Sequence, residues 1–328
     1  MRRDTADDSW SEHELRRVAT LYYLGDETME SIAQRQQVSR STVSRQLKLA
    51  RERGIVRISV DTGAPDGGLG GQLAQRYGVT AHVVPVRDSA GDSRLLHQVC
   101  RYAGRLLSDW FADNMVLGVA WGATMSTLMD HLVPKPTRGA TIVQLNGAVH
   151  ASSTEIRSMS DLLGRACDAF DARPQFFPVP AFFDDPATRD ALWRERSIAA
   201  VVELQQRCDI AVFGVGSWTG EVSQVYAGGY LDPADLEALR RAGAVGDICT
   251  TFLRLDGSWA DLTINARGSG PDLTTLAGLP RRVCVVAGQG RVPGTIGALN
   301  AGVVTDLVID EQTAATLLGF DPRQVSRR

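Results

Sequence analysis

The stretch 18–54, VATLYYLGDETMESIAQRQQVSRSTVSRQLKLARERG, decides how this chain is to be read. Residues 12–24 set Leu15, Val18, Ala19, Leu21 and Tyr22 at helical spacing, and Gly25 with Asp26 stops the pattern. Thr28 is placed to cap a second, short helix with Met29, Ile32 and Ala33 on one face. Gln36, Gln37 and Val38 then turn the chain, with Val38 expected to fill the corner. Ser39 caps a third helix whose Val43, Leu47 and Ala50 form an apolar stripe at i, i+4 and i+7, and Gly54 ends it. Two short helices joined by a tight turn, with the small Ala33 at their crossing, match the helix-turn-helix plan.

Charge sharpens this reading. Between 31 and 60 the basic residues Arg35, Arg40, Arg45, Lys48, Arg51, Arg53 and Arg57 face a single acidic one, Glu52. The whole chain carries a formal charge of −3, so the remainder is acidic. A compact basic surface on an acidic protein is the footprint of localised phosphate binding. If the third helix enters the major groove of duplex DNA by its N-terminal turns, Arg40, Ser41, Thr42, Ser44 and Arg45 meet base edges, while Lys48 and Arg51 hold phosphates. The following VRISV (56–60) alternates like a short strand, either a wing or a link.

Outward from there, DTGAPDGGLGG (61–71) combines five glycines with a proline and reads as a linker. Beyond it, apolar runs alternate with helical patterns. AHVVPV (81–86) precedes a helix near 92–111, MVLGVA (115–120) one from 124, and TIVQLNG (141–147) one over 154–170. FFPVPA (176–181) precedes a helix near 187–207, DIAVFGVGS (209–217) one over 233–241, RVCVVAG (282–288) one over 294–301, and DLVID (306–310) follows. Such alternation predicts a mainly parallel sheet covered by helices. The predicted class is α/β, with an all-α helix-turn-helix domain over 1–60, a linker over 61–71 and an α/β effector domain over 72–328.

At 328 residues and 44% hydrophobic content the chain can bury a sizeable core, and no apolar run is long enough for a membrane helix. MRRDTADDSW (1–10) has mixed charge and no apolar centre, so a cytoplasmic protein without a secretory signal is expected. Cys100, Cys167, Cys208, Cys249 and Cys284 lie far apart with no CxxC, which predicts buried thiols and neither a zinc site nor a disulfide framework. No cofactor is called for.

Ligands of open α/β sheets collect where strands end at their carboxyl edge. Four predicted strand ends here are rich in Gly and small polar residues: GVAWGATMS (118–126), QLNGA (144–148), GVGS (214–217) and VVAGQGRVPG (285–294). Gly122, Ala123 and Thr124 stand out, since a strand turning on Gly into a helix offers backbone N–H groups to an anion.

The region up to VRISV, together with GVAWGATM, VQLNGA, DIAVFGVGS, GAVGDI and TDLVIDEQTAATLL, resembles successive blocks of the SorC family of bacterial sugar-responsive regulators. The resemblance implies a sensor fold related to sugar-phosphate isomerases and deaminases, an oligomer (dimer or tetramer), operator DNA as partner, and a sugar phosphate or related metabolite as effector. Carried over by position, it places Gly122 and Thr124 at an anion-binding turn, Asn146 and Gly147 at the next strand end, and Gly214 and Gly216 behind the pocket. Asp247 falls where hydroxyls would be bound, and Gly288 opens a last loop with Gln289 and Arg291. Family members usually carry a lysine in that loop, and this chain has Val292 there, beside Arg291. Either Arg291 supplies the charge or the effector carries no phosphate; the reading leans toward a less charged effector. Lys135, in the Pro-flanked VPKPT (133–137), is expected to be exposed and unsuited to imine formation. The competing class is an isomerase or deaminase with a DNA-binding appendage, Asp247 serving as base. Its candidate partners are poor, with only His150 near a pocket motif, so the reading is not an enzyme.

Overall fold

Local capping opens each helix of the N-terminal region. In a computed structural model that describes residues 10–56, 68–86, 91–147, 159–217 and 231–321, α1 (Glu12–Tyr23) starts from a capping box between Ser11 and Glu14. Thr28 caps α2 (Met29–Gln36) by accepting from Ser31 N–H, and Ser39 caps α3 (Arg40–Glu52) by accepting from Thr42 N–H. Between them Gln37 sits in the left-handed region at φ 55°, the bend that lets α3 leave α2 at once. Val18, Ile32, Ala33, Val43 and Leu47 meet in one buried cluster, with Leu15, Ala19 and Ala50 in a second. Val38 does not fill the corner: it is 37% exposed, and Ile32 and Ala33 complete the contact instead.

The chain divides into two units, Met1–Gly63 and Ala64–Arg328. Residues 57–67, with all but the first residue of VRISV and the start of the glycine-rich stretch, lie outside the described residues. The end of that stretch is not linker: Leu69–Tyr77 forms helix α4, closed by Gly78 at φ 69°.

The second unit is built on a seven-stranded parallel sheet of order β1-β10-β9-β5-β2-β3-β4. Its strands are β1 (Thr80–Val84), β2 (Val116–Val119), β3 (Thr141–Gln144), β4 (Arg173–Gln175), β5 (Ile210–Phe213), β9 (Arg281–Val286) and β10 (Asp306–Asp310). Helices on both faces explain why β5 reads as an unbroken apolar run, and why β10, with Leu307–Ile309 between two aspartates, is buried at every residue. The long α5 (Asp92–Trp110) packs by Leu95, Val99, Ala103 and Leu107 into the main core.

Several local expectations change. FFPVPA is not a strand: β4 closes at Gln175, and the following segment is tied to the buried Gln144, whose Oε1 accepts from Phe177 N–H. The helix expected near 187–207 is two, α8 (Pro186–Trp193) and α9 (Arg196–Gln205), parted where Glu195 turns extended. Helix α7 begins at Met159 (Met159–Phe170), and 154–158 lie outside the described residues. DIAVFGVGS splits between two sheets, with β6 (Gly216–Ser217) opening a three-stranded antiparallel sheet completed by β7 (Ala244–Ile248) and β8 (Thr251–Arg254). β7 and β8 are joined by a turn of Cys249 and Thr250, both at positive φ, in place of the usual Asn-Gly signal. Three later helices, α10 (Pro233–Arg241), α11 (Leu273–Ala277) and α12 (Val292–Asn300), precede the last, α13 (Glu311–Leu318).

Lys135 is not exposed. It is half-buried, and its Nζ donates to the carbonyls of Ser108, Asp109 and Phe111 at 3.0, 3.1 and 2.8 Å, closing the C-terminus of α5. Replacing this charge-assisted cap should cost about 1.5–3 kcal/mol. Lys135→Met is therefore expected to lower the Tm by roughly 3–10 °C in circular-dichroism melts. An unchanged melt would show that water serves those carbonyls equally well.

Candidate functional site

Parallel order brings the glycine-rich strand ends together. β9, β5, β2 and β3 are consecutive in the sheet, so Gly288, Gly214, Gly122 and Asn146 follow one another along a single edge. The chain runs from β2 outward through β3 and β4, then returns to the other side of β2 with β5, which makes the β2/β5 boundary a topological switch point. There Gly122 adopts φ 136°, a conformation L side chains rarely take, and turns the chain into α6 (Ala123–Met129). Thr124 is buried beside Gly214: a Cβ on Gly214 would lie 3.5 Å from the Thr124 Cβ and 3.6 Å from its Oγ1. Ala123 is exposed at the rim.

Asn146 is a clamp. Its Oδ1 accepts from Trp121 N–H at 3.3 Å, its carbonyl accepts from Gln144 Nε2 at 2.7 Å, and it is 2% exposed. Gly147 follows, donating its N–H to Ser269 Oγ at 2.8 Å; a Cβ there would lie 2.1 Å from the Pro180 carbonyl oxygen. Only a glycine permits that crossing.

Asp247 lies on β7 directly opposite Gly216 of β6. A Cβ on Gly216 would fall 1.9 Å from Asp247 Oδ1, so the carboxylate lies across the space that the missing side chain leaves. Burial raises its pKa to about 6, against a hydrogen bond from the Thr250 backbone that lowers it. That bond means Asp247 also braces the turn at Cys249 and Thr250, whose Oγ1 accepts from Gly270 N–H at 3.0 Å. The last loop closes the other side. Gly288, at φ 93°, donates its N–H to Asp310 Oδ2 at 3.0 Å, and Ser217 Oγ donates to the Gly290 carbonyl at 2.6 Å. Arg291 folds back to donate to the Ala287 carbonyl at 2.7 Å, its pKa lowered by burial and held up by Asp92 and Cys100. Gln289 is exposed on the same turn. Gly122, Thr124, Asn146, Gly147, Gly216, Asp247, Gly288 and Arg291 thus line neighbouring ends of two sheets.

On α3 the residues singled out for DNA fall on one face. Arg40, Ser41, Ser44, Arg45, Lys48 and Arg51 are exposed, opposite buried Val43, Gln46, Leu47 and Ala50; Thr42 is half-buried. Arg45 stacks over the Trp10 ring at 5.9 Å, Arg51 donates to Tyr23 Oη at 3.1 Å, and Lys48 pairs with Glu52 at 3.6 Å.

Residues 68–319 match the family model described as "Putative sugar-binding domain". Over 304 residues, 92% of this chain and 95% of the relative, the chain is 33% identical to the deoxyribonucleoside regulator of Bacillus subtilis (strain 168). The chain belongs to the SorC-type sugar-binding-domain family. The resemblance read from the sequence blocks therefore holds. A domain of "a possible sugar-binding transcriptional regulator" from Arthrobacter aurescens TC1 is 41% identical and superposes with a TM-score of 0.72, over 80% of this chain and 100% of that one. The full-length sorbitol operon regulator SorC of Klebsiella pneumoniae, 23% identical, shares the fold with a TM-score of 0.76 over 95% of this chain and 100% of that one. Among the described residues, no cluster of His, Cys, Asp or Glu is placed to hold a metal, and no helix is long and apolar enough to cross a membrane.

Sequence reasoning on this SorC-type chain passed over Trp121, Thr250 and Ser269. Trp121 stood inside a quoted motif, but nothing in its spacing distinguishes a pocket wall from core. Of the five cysteines, four are buried and Cys167 is half-buried; all are free thiols, and burial raises the pKa of each. His150 lies outside the described residues.

Folding raises the Asp247 pKa above an unfolded value of about 3.9, so the native state holds this proton more tightly. The resulting stability is fully present below that value and is lost as pH rises through about 6. Asp247→Asn is expected to melt a few degrees above the wild type at pH 7.5, with the gap narrowing toward pH 4.5. A gap independent of pH would show that the carboxyl is not burdened by burial.

Proposed function

We propose that this protein is a DNA-binding transcriptional regulator whose operator affinity is set by a sugar, polyol or sugar phosphate bound at the carboxyl edge of its parallel sheet. The observation that carries the reading is the convergence of Gly122, Thr124, Asn146 and Gly214 at the switch point, with Asp247 laid across Gly216 at the edge of the adjoining sheet. A carboxylate accepts hydrogen bonds from two vicinal hydroxyls at once, which suits a polyhydroxylated ligand. The relatives' names point the same way, to deoxyribonucleosides in one and sorbitol in another.

Arg291 supports a weakly charged effector over a strongly anionic one. Its guanidinium is already bonded to the Ala287 carbonyl, and a phosphate would have to draw it from that contact. Catalysis is not part of the reading, because the relatives are named as regulators and, of the groups that could partner Asp247, Lys135 and the His97–His131 pair are engaged elsewhere. Lys135 caps α5, and His97 Nδ1 is hydrogen-bonded to His131 Nε2 at 3.1 Å. We place the protein in the cytoplasm, as a dimer or tetramer, because one such motif covers little DNA and paired recognition helices need spaced half-sites. Effector and operator are then linked through a population shift between binding-competent and binding-incompetent arrangements.

Two experiments test this. A thermal-shift screen with free and phosphorylated sorbitol, erythritol and 2-deoxyribose should give at least one ligand that raises the Tm in step with occupancy, an effect weakened at least about tenfold in Asp247→Asn. Should none raise the Tm, the effector reading fails. In fluorescence-anisotropy titrations with operator DNA, Arg45→Ala is expected to weaken specific binding about tenfold or more and to relax base preference. Lys48→Ala should weaken all sequences alike and reduce the salt slope by about one. The reverse pattern would exchange the two roles.

A further inference from the structure

Resting on the carboxyl edge being the effector site, we infer that Trp121 is a specificity-determining contact, its indole N–H donating to a ligand oxygen and its ring carrying the C–H face of a sugar or polyol. Three observations converge on it. First, Trp121 immediately precedes Gly122, two residues past the end of β2, so its backbone is at the switch point, and its N–H is held by Asn146. Second, its Nε1 is fully buried yet has no hydrogen-bond partner among the described residues, although the residue as a whole is only half-buried. A buried donor without an acceptor is costly to keep unless something that binds there satisfies it. Third, the ring packs against the cluster that contains Phe252 and Phe182, whose rings stack at 5.7 Å.

That cluster reaches Asp247. Phe252 is the cross-strand partner of Asp247 on β8, and directly opposed residues of an antiparallel pair share a face. Asp247 leans the other way, across Gly216, so this face of the small sheet is acidic at one end and aromatic at the other. A sugar has the matching division, hydroxyls around its edge and C–H groups on its face, and the electron-rich face of an indole suits the latter. A phosphate or a flat aromatic ligand would use only one half of such a surface. Trp121 therefore selects for a ring or chain that presents C–H groups to the indole while its hydroxyls reach the carboxylate.

The test uses the full-length protein, with free sorbitol, erythritol and 2-deoxyribose and their phosphates as probes. Trp121→Phe keeps an aromatic face and removes only the N–H; Trp121→Leu removes both. Affinity for whichever probe binds the wild type is expected to fall about fivefold in the first and at least about fiftyfold in the second, with ligand-free melting changed by only a few degrees. In the wild type the indole N–H resonance lost in Trp121→Phe, one of six from the chain's six tryptophans, should shift on titration. If the wild type binds a probe with that resonance unmoved, or both variants bind it unweakened, Trp121 is not a contact while the effector site stands. The wild-type resonance also decides the matter should either variant fail to fold. If the wild type binds none of the probes, the effector reading fails and this assignment falls with it.

Discussion

Backbone contacts that exclude any side chain hold the sensing unit together. Gly246 on β7 would place a Cβ 2.5 Å from the Gly216 carbonyl oxygen and 3.0 Å from Gly294 Cα, so β6, β7 and the first turn of α12 meet backbone to backbone. Further along α12, Gly297 would set a Cβ 2.1 Å from Leu253 Cδ1 on β8. The small antiparallel sheet can sit on α12 only because these positions carry hydrogen atoms. That approach in turn leaves Asp247 room to lie across Gly216, and brings the loop from Gly288 to Arg291 alongside Ser217. A methyl group at Gly246, Gly294 or Gly297 would push the small sheet away from α12.

Buried polar groups then fix what the glycines permit. Asp310 serves twice, capping α13 through Thr313 N–H at 2.8 Å and holding Gly288 N–H at 3.0 Å, which ties the last strand to the Gly288–Arg291 loop. Gln144 and Gln205 bind the end of β3 from below, with Gln205 Nε2 donating to the Gln144 and Leu145 carbonyls. Ser269 joins Gly147 to the Ala181 carbonyl. Each bond satisfies a backbone group that the tight turns remove from water, so the edge is kept in place without a ligand. For the effector site proposed at this edge, such preorganisation would let differential binding free energy go into shifting a conformational balance instead of assembling the site.

The N-terminal region works by a different economy. Its core is two small apolar clusters, and its helices are capped by Ser11, Thr28 and Ser39, the last two at positions legible from the chain. With the apolar stripe of α3 buried, Arg40, Ser41, Ser44, Arg45, Lys48 and Arg51 have only one direction left, outward on a single face. Here the surface proposed to meet DNA is a direct consequence of helical periodicity.

Sequence alone determined whatever depends on neighbours within a turn or two of chain. The caps at Thr28 and Ser39, the break at Gly54, the apolar run of β5, the bounds of α10 and the amphipathic third helix follow from spacings of two to four residues. The family blocks brought Asp247 and the glycine turns into one list. Only the tertiary structure decided which of them meet. It set β5 beside β2, split 209–217 between two sheets, and made a hairpin turn of Cys249 and Thr250 that carries no local turn signal. It turned Lys135 from an expected loop cation into a helix cap, and showed Trp121 with a buried, unpartnered N–H among the described residues. These outcomes rest on contacts between residues far apart in the chain, where the deciding quantities are the room beside a glycine and the partner of a buried polar atom, and neither is written in any local pattern.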